Sequence, residues 1–414
     1  MIELKEMGSM WNWVPDYVTK SKKKDRIIID DMTLEGDCEE MAGITISEAD
    51  KIEIATRLSD IGVDRLSVLG YSPMPPPEEI RTVEKIVDLG LPIKLGAFAK
   101  TQEEIELASR IGLWGVTILV NVNDTNLPIG RTRAEIIEKI KHLTMYAKEE
   151  GLYTIFMGMS STRASPEFLK NVILSVQEYC DEICIGDSTG VISPFGYRYL
   201  IEEVGKWTNL PLSVHIHNHS SMAVANALGV VLGGVSVLQT TVNGMGEYSG
   251  ILPLEEVAVA LPMHLGVSTG IKLDKLKSLS DFVARATGVP TSIHKPSVGE
   301  YTYSVPETEE IQQSYYQSAK IGPIDESQTP PPKLVGNKMR FSIGRKCNKY
   351  TVLYNLGING WTAEPSTINE IIEAVRRKAY AQKGYYLMEE GDFMKMVKEA
   401  EYELIPIKKK LGTK

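Results

Sequence analysis

From about residue 26 to 260, short apolar, β-branched runs alternate with longer stretches whose apolar positions recur every three or four residues. The short runs, at 27–31, 65–69, 93–97, 116–120, 153–157, 182–185, 212–217 and 236–240, predict strands. The longer ones, including 47–61, 77–89, 101–111, 133–150 and 166–179, predict amphipathic helices that cover a sheet. Two open on capping residues: Ser47 stands before Glu48, and Thr101 before Glu103 and Glu104. Eight strands alternating with helices predict an α/β protein with a (β/α)8 TIM barrel. A doubly wound open sheet is the competing architecture, but no GxGxxG follows an early strand, so no dinucleotide site is expected.

Beyond residue 290 the pattern changes. Proline, serine and polar residues thicken, with Pro330, Pro331 and Pro332 in a row, and the stretch reads as an extended connector. Helical periodicity returns at 366–382 and 391–403. The expected organisation is an N-terminal extension at 1–25, a metal-binding catalytic barrel at 26–290, a connector or lid at 291–337 and a small helical subdomain at 338–414.

Composition narrows the function classes. Of 414 residues, 43% are apolar and 24% charged, an ordinary globular balance. With 45 basic against 54 acidic residues the net charge is −9, which argues against nucleic acid as a partner. No apolar run suits a membrane span, the first residues lack a secretory pattern, and the four scattered cysteines suit a reducing compartment. A cytoplasmic enzyme with a small-molecule substrate is expected.

Reactive groups of such barrels project from the C-terminal strand ends. Asp30 and Asp31 end the first predicted strand, and Glu35, Asp37, Glu39 and Glu40 follow. His215, His217 and His219, three of the chain's six histidines, end the seventh and share one face if that strand runs so far. Two inward imidazoles with a carboxylate from another strand make a divalent-metal site with open positions. On chemistry alone Asp31 and Asp37 are both candidates for that carboxylate. Asp187, in a Gly-Asp-Ser-Thr run, is equally readable as a turn cap, and the glycine-rich 243–250 as an anion cradle or a tight connection.

Taken together the motifs resemble those of the pyruvate carboxyltransferase-like (DRE-TIM) metallolyases, which include isopropylmalate, homocitrate and citramalate synthases and hydroxymethylglutaryl-CoA lyase. Asp31-Met32-Thr33-Leu34 with Asp37, Asp187-Ser188-Thr189-Gly190, His215-Ile216-His217-Asn218 and Asn243-Gly244-Met245-Gly246-Glu247 stand in the family's order. The likeness extends to Lys295–Glu300 and Phe341–Arg345, spanning about residues 26 to 385. It implies metal ligation by Asp37, His215 and His217, with Mn²⁺, Zn²⁺, Mg²⁺ or Fe²⁺ all suited, and leaves Asp31 as a supporting residue or fallback ligand. It also implies a homodimer.

The departures fall on the reacting groups. Glu35-Gly36 replaces the family's strand-one arginine, His219 its aspartate, Tyr248 a second arginine and Ile251 an asparagine, while Arg163 is kept. Claisen condensation of acyl-CoA with a 2-oxo acid needs a base and cationic donors for two anions. A carboxylate where an arginine stood disfavours an anionic substrate. The expected reaction is therefore metal-dependent hydrolytic carbon–carbon cleavage of a neutral 1,3-dicarbonyl, such as the cyclic dione dihydrophloroglucinol. Glu35 and His219 are then candidate base and acid, Tyr248 an oxyanion donor and Arg163 a further site residue. The alternatives are a CoA-dependent synthase or lyase with compensated substitutions, and a non-catalytic descendant.

Overall fold

The computed structural model describes residues 4–13, 18, 20–36, 38, 40–70, 75–125, 127, 131–321, 330–408 and 410–411. They form two compact units, 1–291 and 292–414. In the first, eight parallel strands close into a barrel in chain order: β1 (Ile28–Asp31), β2 (Arg65–Leu69), β3 (Lys94–Ala99), β4 (Gly115–Asn121), β5 (Tyr153–Met159), β6 (Glu182–Asp187), β7 (Leu212–Ile216) and β8 (Val237–Thr240). The expected TIM barrel is the observed fold, with strand ends shifted by a residue or two. Closure comes from β1 pairing with β8, which sets Ile28 opposite Val237 and Asp30 opposite Gln239.

Local chemistry explains the element boundaries. Ser47 caps the helix Glu48–Ile61 by accepting from Asp50 N, and Gly62 ends it at φ 100°. Thr101 and Thr132 open Gln102–Arg110 and Arg133–Glu149 with full capping boxes. Buried Ile54, Leu58, Ile105, Ile140 and Val172 carry the helices onto the sheet. Inside the barrel, Met32, Phe98, Leu119, Ile155, Met157, Cys184 and Ile251 form an apolar plug.

Low in the barrel lies a buried ion pair that the hydrophobic pattern did not announce. Arg65, at the start of β2, donates to Glu182, at the start of β6, over 2.8 Å. Glu182 is fully buried and Arg65 nearly so. The guanidinium lies over the rings of Trp114 and Tyr153, which stack at 4.2 Å. Asp30 belongs to the same charge system. Burial pushes its carboxyl up to about 7, while the Arg65 guanidinium pulls it down.

The second unit departs from the expected extended connector, because Glu309–Ile321 is a helix of 13 residues. Its apolar side packs: Tyr316 and Ala319 are buried with Val305, Phe341 and Tyr354. The polar composition that suggested an open chain belongs to the helix's other face. Lys349–Ile358, Pro365–Tyr380 and Glu390–Glu399 surround a separate core of Val352, Leu356, Ile371, Val375, Phe393 and Val397. All four cysteines are buried and unbridged. No helix among the described residues is long and apolar enough to cross a membrane.

Removing one partner of a buried ion pair strands the other's charge. Arg65→Ala is expected to lower unfolding free energy by about 3–5 kcal/mol, read from urea denaturation. Adding Glu182→Leu to that variant is expected to recover part of the loss. Equal stability of Arg65→Ala and the unsubstituted protein would show that the pair contributes nothing.

Candidate active site at the barrel mouth

The site is built from β1 and β3 to β8, chiefly their C-terminal ends and the turns after them. A small cavity of about 40 Å³, open to solvent, is lined by Glu35, Phe98, Leu119, Met157, Met159, Ser188, His215, His217 and Glu247. Among the described residues its wall therefore holds two carboxylates, two imidazoles and no lysine or arginine.

β7 ends at Ile216, one residue short of the expected 217, and the chain then bends outward. His217 is still held, by an isolated bridge to Ile251 and by its amide reaching Asp187 O at 3.4 Å. His215 and His217 are both buried, and their Nε2 atoms converge to 3.3 Å. Two imidazole nitrogens about 2.1 Å from one divalent ion, at an angle of about 90–110°, stand about 3.0–3.4 Å apart, so this pair fits two adjacent positions on an ion. Burial, reinforced by His215 and His219, lowers His217 to about 3, leaving it a neutral imidazole. Its Nδ1 is buried with no hydrogen-bond partner among the described residues.

The expected third ligand, Asp37, lies outside the described residues. Among those described, no group of three His, Cys, Asp or Glu is placed to hold an ion. Asp31, the fallback, is spent on the loop: Oδ1 accepts from Thr33 N at 2.9 Å and Oδ2 from Thr240 Oγ1 at 3.1 Å. Burial raises its carboxyl to about 6. Its position is that of a supporting residue.

Glu35 is buried, 2% exposed, in the turn after β1. Gly70 makes room for it, since a Cβ there would lie 2.8 Å from Glu35 Oε1 and 3.0 Å from Gly36 N. The other expected catalytic residues stand further out. His219 is exposed rather than on the inward face, because the strand has ended before it. Tyr248 is 80% exposed at φ 54°, its ring 5.2 Å from that of His219 and 6.3 Å from that of His217. Arg163 is exposed, donates to Thr189 Oγ1 at 2.8 Å and is not part of the cavity wall. Asp187 organises the turn, accepting from Thr162 Oγ1 and Val191 N. The 243–250 stretch is a tight connection, with Asn243, Gly244, Gly246, Tyr248 and Gly250 all at positive φ.

Two residues escaped the sequence reading. Lys100 follows β3, interacts with Glu40, Glu104 and Glu35, and is lowered by its burial. Gln239 is fully buried on β8 with its Oε1 3.0 Å from His215 Nδ1. A glutamine inside a four-residue strand that otherwise reads Val-Leu-Thr was the available signal.

Paired buried histidines at the C-terminal mouth of a closed parallel barrel stand where barrel enzymes place their reactive groups. Residues 26–283 match the HMGL-like family, and the chain belongs to it. Its members are synthases and lyases that use a divalent metal ion. The chain is 29% identical to the (R)-citramalate synthase of Methanocaldococcus jannaschii over 379 residues, 91% of this chain and 75% of that protein. It is 30% identical to homocitrate synthase 1 of Nostoc sp. over 382 residues, 91% and 98% of the respective chains. The HMG-CoA lyase of Bacillus subtilis shares the fold, with a TM-score of 0.57 at 18% identity over 65% of this chain and 96% of that one.

The Gly70 contact sets the position of Glu35. Gly70→Ala is expected to cost about 1–3 kcal/mol, measured by chemical denaturation. Unchanged stability would show that the Glu35 turn shifts freely.

Proposed function

We propose that this chain breaks a carbon–carbon bond beside a carbonyl with the aid of a divalent cation, by hydrolytic opening of an uncharged cyclic 1,3-dicarbonyl. His215 and His217 would hold the cation, with Asp37 as the third ligand that the family resemblance implies. When bound, the cation would polarise a carbonyl oxygen and supply positive charge to a cavity whose described walls have none.

The observation that carries this reading is the placement of Glu35. A buried carboxylate in the cavity wall repels a substrate carboxylate but tolerates a neutral dione, and it is suited to take a proton from water. In the proposed reaction Glu35 accepts that proton as the water oxygen bonds to one carbonyl carbon. The ring C–C bond then breaks, its electron pair leaves as an enolate, and protonation of that carbon gives the open-chain oxo acid. His219 and Tyr248, neighbours at the rim, are the groups proposed to deliver the proton and to donate to oxygen. Arg163, tied to Thr189 on the surface, has no part in this scheme.

A second reading, the acyl-CoA-dependent condensation or lysis typical of the family, is favoured by the relatives, whose names are citramalate and homocitrate synthase. On the comparisons alone it is the better supported of the two. It requires cationic donors for a 2-oxo acid, and Lys100, beside Glu35, is the described residue nearest that role.

The two readings separate in one assay. Mn²⁺-loaded protein is expected to consume dihydrophloroglucinol without CoA, seen as loss of enol absorbance and formation of an acid. Glu35→Gln is expected to slow turnover by about 10²–10⁴-fold. No turnover of the dione, together with thiol release from acetyl-CoA and a 2-oxo acid, would establish the synthase reading instead.

A further inference from the structure

Beneath the histidine pair, a polar connection runs down into the barrel. Gln239 Oε1 is 3.0 Å from His215 Nδ1 and 3.8 Å from Cys184 Sγ, whose thiol burial keeps protonated. All three side chains are buried. On β1, Asp30 shares the field of Arg65 and Glu182. The β1–β8 register places Asp30 directly opposite Gln239.

An amide oxygen only accepts, so an Oε1 facing His215 demands a proton on Nδ1. The Cys184 thiol, also a donor toward Oε1, favours the same amide orientation. With Nδ1 protonated, the lone pair of His215 lies on Nε2, the atom that converges on His217 Nε2. Among the described residues His217 has no equivalent support, since its Nδ1 has no partner there. One histidine of the pair is therefore preset and the other is not.

We infer that Gln239 is a positioning residue that fixes the Nδ1–H tautomer and ring orientation of His215, and so presets Nε2 to bind a divalent cation. This rests on the metal-site reading above.

The test is Mn²⁺ titration of the full-length protein, with free ion measured by electron paramagnetic resonance. Gln239→Met keeps the volume and removes the acceptor, and is expected to weaken binding about 10–100-fold. Gln239→Glu restores an acceptor and is expected to bind within about threefold of the unsubstituted protein. Both variants are expected to melt in the metal-free state within a few degrees of it. Binding by Gln239→Met equal to the unsubstituted protein, or equal weakening in both variants, overturns this inference alone. Absence of Mn²⁺ binding by the unsubstituted protein, or undiminished binding by His217→Ala, overturns the metal site and this inference with it.

Discussion

The pairing of β1 with β8 is the contact on which this molecule's chemistry depends. It closes the sheet, removes its edges and brings the first strand of the chain beside the last. Only that closure makes neighbours of Asp30 and Gln239, and lets Thr240 reach Asp31. Thr33 completes the seam by accepting from Val242 N. The turn that carries Glu35 is thus fixed by groups some 200 positions away in the chain. A barrel left open would leave each of those polar side chains buried without its partner or exposed to water.

Closure also forces charge inward. Eight strands leave an interior just wide enough for side chains, and here it is shared between an apolar plug and a small ionic group. The Arg65–Glu182 pair is kept from water by stacked aromatic rings. Such a pair adds little net stability compared with well-packed apolar residues, and its value lies in what it orients. Its position below Gln239 and His215 joins the structural interior to the proposed metal centre. The same side chains that fill the barrel therefore set the tautomer of a ligand at its mouth.

The family supplies a scaffold with a synthase's outline, but the cavity wall is not that of a site built for two anions. Glu35 occupies the position where the resemblance expects an arginine, and it is buried with Lys100 in its field. The relatives' activities and the local electrostatics therefore point in different directions. Overall identity near 30% reflects the barrel as a whole, whereas the substrate class is decided by a few charges at its mouth.

Periodicity alone was enough for the barrel, since a strand's alternation and a helix's three-and-four spacing are local properties of the chain. The histidine pair was likewise legible, because residues two apart on one strand share a face. Where the strand ends was not: it decides that His217 points in and His219 out, and it depends on the bridge to Ile251 and the hydrogen bond to Asp187. The helix Glu309–Ile321 was missed because its polar face dominates its composition, and its apolar face has meaning only against Val305, Phe341 and Tyr354. Gln239 shows locally only as a polar residue in a short apolar strand, and Lys100 and the Arg65–Glu182 pair carry no local signal. Fold class, the candidate metal-ligating residue types and the departure from the family's arginine follow from the sequence by itself. Which of those groups are buried together, and hence their protonation, came only from tertiary structure, because both depend on dielectric surroundings contributed by residues distant in the chain.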